Sequence, residues 1–196
     1  QGYEPDASTV LDLYSRAGVR PSVVDGGCIA SDQCGYVDGA PLSPSPALFG
    51  AAGGLDFSLC LWYRPDVDPL DDRDQVLLRL FDGRLRAYGF HQHLHVDAGW
   101  AVNESAFYGM ARDGFASYWQ HLCISCGGAL AVYLNASQVA LTQSSFSCRA
   151  LRNKSSAPIA SAPGTCAASR GFAGVLDEVR FFDREIGADQ VAELYA

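Results

Sequence analysis

The sequence predicts an all-β fold, an antiparallel β-sandwich with short helices near its two ends. From residue 55 onward, short apolar stretches follow one another with turn residues between them and no helical pattern, which indicates antiparallel sheets. At 196 residues, with 48% hydrophobic and 18% charged residues, the chain can bury a substantial core. We expect strands over residues 56–64, 75–81, 85–90, 93–97, 118–125, 130–135, 138–142 and 175–183.

Residues 1–26 are expected to form an N-terminal helical segment that precedes the sandwich of residues 27–196. A polar start and one apolar stripe predict a helix over residues 6–17. Residues 10–14 also resemble residues 191–195 near the other end. Two interpretations are open. Two short amphipathic helices share a few residues by chance, or the first helix closes a preceding, similar domain of a tandem array.

The stretch from Gly171 contains a glycine turn, a strand and a closing helix. Strict alternation along the strand places Val175, Asp177, Val179 and Phe181 on one face. Apolar residues then recur at helical spacing: Ile186, Val191, Leu194 and Tyr195. We therefore expect a short amphipathic helix after the strand.

Cysteines and glycosylation sequons together indicate an oxidising setting. The chain has seven cysteines. Asn103, Asn135 and Asn153 each begin an Asn-x-Ser acceptor sequence. So many thiols without a zinc-type spacing are unusual in a reducing compartment. We therefore expect a glycoprotein that is secreted, extracellular or displayed on the cell surface.

Charge and hydropathy exclude two classes of partner. The net charge is −8 and the pI is about 4.8. Because no cluster of Lys and Arg offsets this charge, we expect no nucleic acid partner. No apolar run reaches the length of a membrane span, so we expect no membrane insertion. The N-terminus lacks the pattern of a signal peptide, so secretion implies a removed signal or an excised segment.

Four segments, in the same order along the chain, carry a family resemblance. They are residues 55–65, 121–125, 130–135 and 171–195. The chain resembles laminin G-like and pentraxin-like domains over about residues 47–196, and these domains are jelly rolls of the concanavalin A-like group. His121-Leu-Cys-Ile-Ser125 matches the beginning of the pentraxin signature, although Cys126 stands where that signature has Trp.

The resemblance implies a jelly-roll recognition module of a secreted protein, with a disulfide between Cys60 and Cys123. Such a bridge joins strands that are distant in sequence and constrains the unfolded chain. Pentraxins bind calcium through an acidic segment before the last strand, but residues 149–170 contain no carboxylate. Asp82 matches one ligand position, and one carboxylate does not make a site. We therefore expect the pentraxin-type calcium site to be absent.

The remaining cysteines leave one thiol over. Cys28 and Cys34 would close a short loop, and Cys148 and Cys166 would close the base of a Ser/Ala/Pro-rich insertion. Cys126 then stays unpaired or forms an intermolecular bridge, unless it replaces either partner of the bridge between residues 60 and 123. An odd cysteine in a secreted chain suggests a partner outside this segment.

The pattern His91-Gln-His93-Leu-His95 followed by Asp97 is a candidate metal site. On an extended strand these four side chains share one face, because residues two apart point the same way. Two histidines at this spacing can hold a zinc or copper ion, with Asp97 as a third ligand. The alternative is a histidine-rich solvated face, or histidines bonded to loop backbone. No other cofactor is expected.

The function predicted from these features is recognition without catalysis. We expect an extracellular recognition or assembly module of a larger adhesive or matrix-type glycoprotein. It would bind a glycan, or a protein domain of a neighbouring chain or a second copy, with Trp100 and Tyr108 as candidate ligand contacts. The alternative is a glycoside hydrolase or polysaccharide lyase. Such enzymes need paired carboxylates across a cleft, and strict alternation puts Asp177 and Glu178 on opposite faces.

Overall fold

The computed structural model describes residues 22–25, 28–29, 33–38, 56–66, 74–80, 85–98, 107–141 and 170–196. Over these residues the chain forms two β-sheets that pack face to face and one C-terminal helix. The predicted fold class is confirmed. The expected N-terminal helix lies outside the described residues. None of the helices within these ranges has the length and apolar character needed to cross a membrane.

The larger sheet has seven strands. In spatial order they are β1 (Ser22–Asp25), β2 (Gln33–Asp38), β12 (Ala173–Phe182), β3 (Phe57–Pro65), β8 (Gln120–Cys126), β9 (Leu130–Leu134) and β10 (Ser137–Gln138). All neighbours pair antiparallel. The sequence assigned residues 22–25 to the N-terminal segment, whereas in the structure they pair with β2 in this sheet.

The smaller sheet has five strands. In spatial order they are β11 (Arg170–Gly171), β4 (Gln75–Leu80), β5 (Leu85–Phe90), β6 (His93–Ala98) and β7 (Phe107–Ala111). Strands β4 to β7 are antiparallel neighbours, and the short β11 runs parallel to β4. The helix α1 (Ala188–Tyr195) follows β12.

The core lies between the sheets because alternate residues of each strand point inward. In β3 the inward residues are Phe57, Leu59, Leu61 and Tyr63, all fully buried. A second, smaller apolar cluster lies on the outer side of the seven-stranded sheet. It contains Cys60, Cys123, Tyr133, Ile186 and Val191. The helix α1 therefore packs on the outside of the sandwich.

A bulge in β12 breaks the alternation expected from the sequence. Asp177 pairs with Trp62, but the next pair is Arg180 with Cys60, so β12 has one residue more than β3 between the two pairs. Glu178 has a φ of 48° within this irregularity. As a result Leu176 and Val179 both lie in the core, and the expected sharing of one face by residues 175, 177, 179 and 181 is wrong.

Two buried serine hydroxyls attach the chain before α1 to the seven-stranded sheet. The Oγ atoms of Ser58 and Ser125 are 3.0 Å apart. The backbone N–H of Ile186 donates to both hydroxyls, at 3.1 and 3.0 Å, and Ser125 donates to the carbonyl of Ile186 at 2.8 Å. Ser58 also donates to the carbonyl of Arg184 at 2.8 Å. This network fixes where α1 begins over the sheet.

Candidate functional site

Two disulfides lie near the outer face of the seven-stranded sheet. Cys60 and Cys123 are register partners in β3 and β8 and are bonded, which is the pair that the resemblance implies. Cys28 and Cys34 are bonded across a separation of six residues. The apolar side chains of Ile186 and Val191 cover the bridge between the sheet strands. The helix α1 is thus seated directly over that bridge.

Cys126 is also disulfide-bonded, so the expectation that it is unpaired or intermolecular needs correction. It is three residues beyond Cys123 in β8 and therefore points to the opposite face, into the core between the sheets. It cannot replace Cys123 in the outer bridge for this reason. The expected pairing of Cys148 with Cys166 lies outside the described residues.

A pocket of about 200 Å³ opens on the outer face of the seven-stranded sheet, beside the last turn of α1. We call it the α1 pocket, and its principal residues are Ile29, Trp62, His121, Glu178, Arg180 and Tyr195. They come from the 28–29 segment, β3, β8, β12 and α1. Five separate parts of the chain therefore converge on one cavity.

Aromatic rings form one wall of the α1 pocket. Trp62 and Tyr195 stack, with ring centroids 5.4 Å apart and planes 16° apart. The His121 ring lies 5.0 Å from Trp62 and 6.0 Å from Tyr195. Tyr195 is 40% exposed and Ile29 is 42% exposed. Apart from Tyr118, these are the large hydrophobic side chains that the described residues expose to this degree. The pocket thus has an accessible apolar rim.

His121 is a neutral, buried imidazole at the base of this pocket. Its relative exposure is 2%, and its Nδ1 atom has no hydrogen-bond partner among the described residues. Burial, together with the nearby Arg180 charge, lowers the pKa of His121 to about 4. Near neutral pH the ring carries no charge. The cavity therefore meets an uncharged ring at this position.

The charged residues of the pocket are paired with each other. The Nε and Nη2 atoms of Arg180 both donate to Oε2 of Glu178, with the Nε contact at 2.8 Å. Oε1 of Glu178 makes no hydrogen bond to the described residues. The bulge in β12 places Glu178 here. The charges of Glu178 and Arg180 therefore offset each other.

Asp177 holds the rim of the pocket in place. Its Oδ2 accepts a hydrogen bond from the backbone N–H of Ile29 at 2.9 Å, and its Oδ1 accepts from the backbone N–H of Glu178 at 2.9 Å. The carboxylate thus connects β12 to the 28–29 segment. Because both its oxygens are engaged and Glu178 is bonded to Arg180, these adjacent acids do not form a free carboxylate pair.

Sequence reasoning missed this pocket, although one signal pointed to it. The implied bridge between Cys60 and Cys123 fixes the register of β3 against β8. Two residues further along each strand, that register sets Trp62 opposite His121. The sequence therefore already indicated that an aromatic pair lies beside this disulfide. The positions of Glu178 and Tyr195 depend on the bulge and on helix packing, which no local pattern reveals.

The described residues also bring together three atoms of metal-ligand type. The Sγ atoms of Cys60 and Cys123 and a ring nitrogen of His121 lie within 4.8 Å of one another. Metal binding by cysteine requires thiolates. Here both sulfurs are used in the disulfide. This group is therefore a disulfide with a neighbouring imidazole.

The predicted metal cluster is dispersed around the β5–β6 hairpin. His93 and His95 lie in β6, but His91 lies in the turn with a φ of 47°, so the four side chains do not share one strand face. Asp97 is buried and accepts from Nε and Nη2 of Arg86 at 2.9 and 2.6 Å. With this carboxylate occupied, zinc at the hairpin stays a prediction.

The histidines of the hairpin make other contacts. The ring of His95 stacks on Tyr88 with centroids 5.2 Å apart, and burial lowers its pKa. Nδ1 of His93 accepts a hydrogen bond from the backbone N–H of Asp113 at 3.3 Å. His91 is exposed and packs 3.9 Å from the Phe90 ring. The contact of His93 is of the kind expected for histidines bonded to loop backbone.

The remaining candidate residues are only partly placed. Asn135 lies in the turn between β9 and β10, where its Oδ1 accepts from the backbone N–H of His121 at 2.8 Å and its Nδ2 donates to Oε1 of Gln120 at 2.5 Å. Tyr108 pairs with Asp97 in the register of β6 and β7. The other predicted positions lie outside the described residues: Trp100, Asn103 and Asn153. Glycosylation and ligand contact at these positions stay predictions.

The two stacked antiparallel sheets, with a helix packed over the outer disulfide, define a jelly-roll module of laminin G type. The chain belongs to the concanavalin A-like lectin/glucanases superfamily, whose laminin G-type sequence profile matches residues 36–192. No curated protein matches the sequence at a significant level.

Several solved structures share the fold at low sequence identity. The binding domain of botulinum neurotoxin DC, solved with rat synaptotagmin II, has a TM-score of 0.53 and 9% identity, and the match covers 90% of this chain and 45% of that one. A structure of botulinum neurotoxin type C, whose cell entry depends on two ganglioside molecules, has a TM-score of 0.54 and 10% identity over 90% and 46%. The binding domain of Paraclostridial Mosquitocidal Protein 1 has a TM-score of 0.50 and 12% identity over 89% and 45%. The chain thus spans less than half the length of these structures.

Proposed function

We propose that the chain is a non-catalytic, extracellular recognition or assembly module of a larger adhesive or matrix-type glycoprotein. It binds its partner, a glycan or a neighbouring protein domain, at the α1 pocket. The observation that carries this proposal is the pocket itself. A concave site with aromatic walls, a neutral imidazole ring and a paired Glu178–Arg180 couple has the mixed character of ligand sites.

The energetics of burial support a binding role for this face. An exposed aromatic ring beside a partly buried Arg is the composition that dominates binding energy at protein interfaces. Tyr195 and Ile29 are exposed at the rim, and Arg180 lies below them. A ligand that covers the rim would remove apolar surface from water.

The comparisons are compatible with recognition. At such low identities the solved structures show a shared fold alone. Two of them are binding domains, one solved with a protein, and the third is from a toxin whose cell entry depends on gangliosides. The bonded pairs Cys28–Cys34 and Cys60–Cys123 support an oxidising environment, since such bridges persist outside reducing compartments.

The residues of the α1 pocket support catalysis less well than they support binding. Hydrolysis of a glycosidic bond commonly uses two carboxyl groups across the scissile bond. Glu178 is the acid that lines the α1 pocket, and it is bonded to Arg180, while the oxygens of Asp177 accept backbone N–H groups. Within the described residues, the pocket therefore offers no pair of free acids.

Binding measurements on two matched tyrosine variants test this proposal. The wild-type chain is applied to a glycan array, and its self-association is measured by sedimentation velocity. Tyr195→Ala removes an exposed ring at the pocket, whereas Tyr118→Ala removes a ring of similar exposure, 53%, in the turn region before β8. We expect glycan binding or association that Tyr195→Ala weakens and Tyr118→Ala leaves intact.

Two results would contradict the proposal. Binding or association that is equal in the wild type and in Tyr195→Ala would move the site away from the α1 pocket. Release of reducing ends from a polysaccharide, or of unsaturated products, would make the chain an enzyme.

A further inference from the structure

We propose that Cys60, His121 and Cys123 bind a zinc ion while the two cysteines are thiols, before the bridge between them closes or after a dithiol has reduced it. Formation of the disulfide then releases the metal. The site lies on the outer face of the seven-stranded sheet beneath α1, and it does not depend on what the α1 pocket binds.

The register of two strands brings the three side chains together. Cys60 in β3 is the partner of Cys123 in β8. His121 is two residues before Cys123, so its side chain lies on the same face of the strand. The two Sγ atoms and a ring nitrogen of His121 lie within 4.8 Å of one another. The backbone of the sheet therefore holds three ligand atoms close to one point.

The spacing of these atoms suits zinc once the sulfurs are no longer bonded. Zinc binds sulfur at about 2.3 Å and imidazole nitrogen at about 2.0–2.1 Å in a tetrahedral arrangement, so its ligand atoms are about 3.5–3.8 Å apart. Rotation about the Cα–Cβ bonds separates the two sulfurs to this distance. The Cα atoms, 4.1 Å apart, can stay in place. Three protein ligands leave the fourth position to water.

His121 is suited to be the third ligand. Its relative exposure is 2%, and its Nδ1 atom has no hydrogen-bond partner among the described residues. Because Nδ1 has almost no accessible surface, a partner for it has to come from inside the protein. A metal ion held between the imidazole and the two sulfurs is such a partner.

The surroundings favour a complex of zinc with two thiolates. Two thiolates balance the charge of Zn²⁺, and a neutral imidazole adds none. The apolar side chains of Ile186 and Val191 cover the two sulfurs. A complex without net charge is buried here at a much lower cost than an isolated ion. Thiolates also select zinc over calcium and magnesium, which prefer oxygen ligands.

Zinc binding and bridge formation compete for the same two sulfurs. When zinc binds, each thiol loses its proton, so two protons are released for each ion. A small-molecule disulfide then oxidises the site: the two thiolates give up two electrons and form the Sγ–Sγ bond, the S–S bond of the oxidant breaks into two thiolates, and Zn²⁺ leaves. The site is therefore available in one redox state of the chain.

The test compares zinc binding by the oxidised and the reduced wild-type chain. The protein is reduced with dithiothreitol, which is then removed without air, and zinc is titrated in competition with a chromophoric chelator. Reduction also frees other thiols, so the double variant Cys60→Ala/Cys123→Ala, reduced in the same way, is the matched control. We expect the reduced wild type to bind one zinc ion more than this control, and the oxidised wild type to lack the site.

Cobalt and a histidine variant identify the ligands. Co²⁺ in the reduced wild type should give the visible absorption of a tetrahedral thiolate site, and in the double variant it should not. His121→Phe keeps both cysteines but removes the imidazole. It should weaken zinc binding by at least about tenfold and change the cobalt spectrum.

Urea unfolding distinguishes a site in the folded chain from zinc binding by an unfolded chain. Zinc that binds the folded form should raise the urea midpoint of the reduced wild type and leave that of the double variant unchanged. A midpoint that zinc does not raise would overturn the inference, and so would equal zinc binding by the oxidised and reduced chains.

Two further results would also overturn it. One is zinc uptake by the double variant that equals uptake by the reduced wild type. The other is an unchanged zinc affinity in a folded His121→Phe; if that variant does not fold, the double variant and the urea midpoints decide. Because none of these measurements involves a glycan or a protein partner, their failure would leave the proposed function standing.

Discussion

His121 faces Trp62 across the β3–β8 ladder, with the two ring centroids 5.0 Å apart, and Arg180 lies on the same outer face. Burial and the neighbouring positive charge of Arg180 both disfavour protonation of the imidazole. The folded protein therefore binds a proton at His121 less readily than the unfolded chain does. That difference makes stability depend on pH in a defined direction.

Acidification should destabilise the protein through His121. The pKa falls from an ordinary value of 6.5 to about 4, so between these values the unfolded chain binds more protons and stability decreases as the pH decreases. We expect this group to lower the free energy of unfolding by about 2 kcal/mol between pH 7 and pH 5. His95 contributes in the same direction, since burial also lowers its pKa.

Urea unfolding at pH 7 and pH 5 measures this loss, and His121→Phe isolates it. The variant lacks the titrating group. Its free energy of unfolding should therefore change between the two pH values by about 2 kcal/mol less than that of the wild type. An equal pH dependence in both proteins would contradict the buried, neutral state of His121.

Ser125→Ala should detach the start of α1 from the sheet. The Ser125 hydroxyl is buried and bonds both the N–H and the carbonyl of Ile186. Without it the Ile186 carbonyl loses its donor, which costs about 1–3 kcal/mol. Ser117→Ala, at an exposed position shortly before β8, is the control and should be neutral within about 0.5 kcal/mol. Equal urea midpoints for the two variants would contradict this anchor.

The two bonded pairs differ in the length of chain they close. Replacing Cys60 and Cys123 by Ala opens a loop of 63 residues, and replacing Cys28 and Cys34 opens one of six. Each bridge reduces the entropy of the unfolded chain, and a longer loop gives a larger effect. The free energy of unfolding should therefore fall by about 4 kcal/mol for the first replacement and by about 2 kcal/mol for the second. Thermal unfolding of the two double variants measures the difference. A larger loss for the short loop would mean that the bridge over which α1 packs adds little to stability.

Much of the fold was predictable because its strands follow local patterns. The expected strand 85–90 has the same bounds as β5, and those at 75–81, 93–97 and 130–135 agree with β4, β6 and β9 within one residue. Here polar turn residues separate apolar stretches. The strand expected at 138–142 is instead the two-residue β10.

Other elements could not be predicted from local patterns. The sequences of β2 and β7, Gln-Cys-Gly-Tyr-Val-Asp and Phe-Tyr-Gly-Met-Ala, show no clear alternation and include glycine. They become strands by pairing with partners distant in sequence, at β12 and β6. The β12 bulge changes the face of each residue after it, and therefore the composition of the α1 pocket.

Gly174→Ala should disrupt the pairing of β12 with β3. Gly174 has a φ of 149°, which residues with a side chain rarely adopt, and it pairs with Pro65 in the sheet. An added Cβ would overlap the carbonyl oxygen of Arg64 and lie 2.8 Å from the Cα of Pro65, and these backbone atoms cannot move aside cheaply. We expect a loss of about 2–4 kcal/mol in the free energy of unfolding.

Gly128→Ala is the control, since its added Cβ meets nothing within 4 Å, and it should change stability by less than about 1 kcal/mol. Equal stability of the two variants in urea unfolding would show that β12 does not approach β3 this closely.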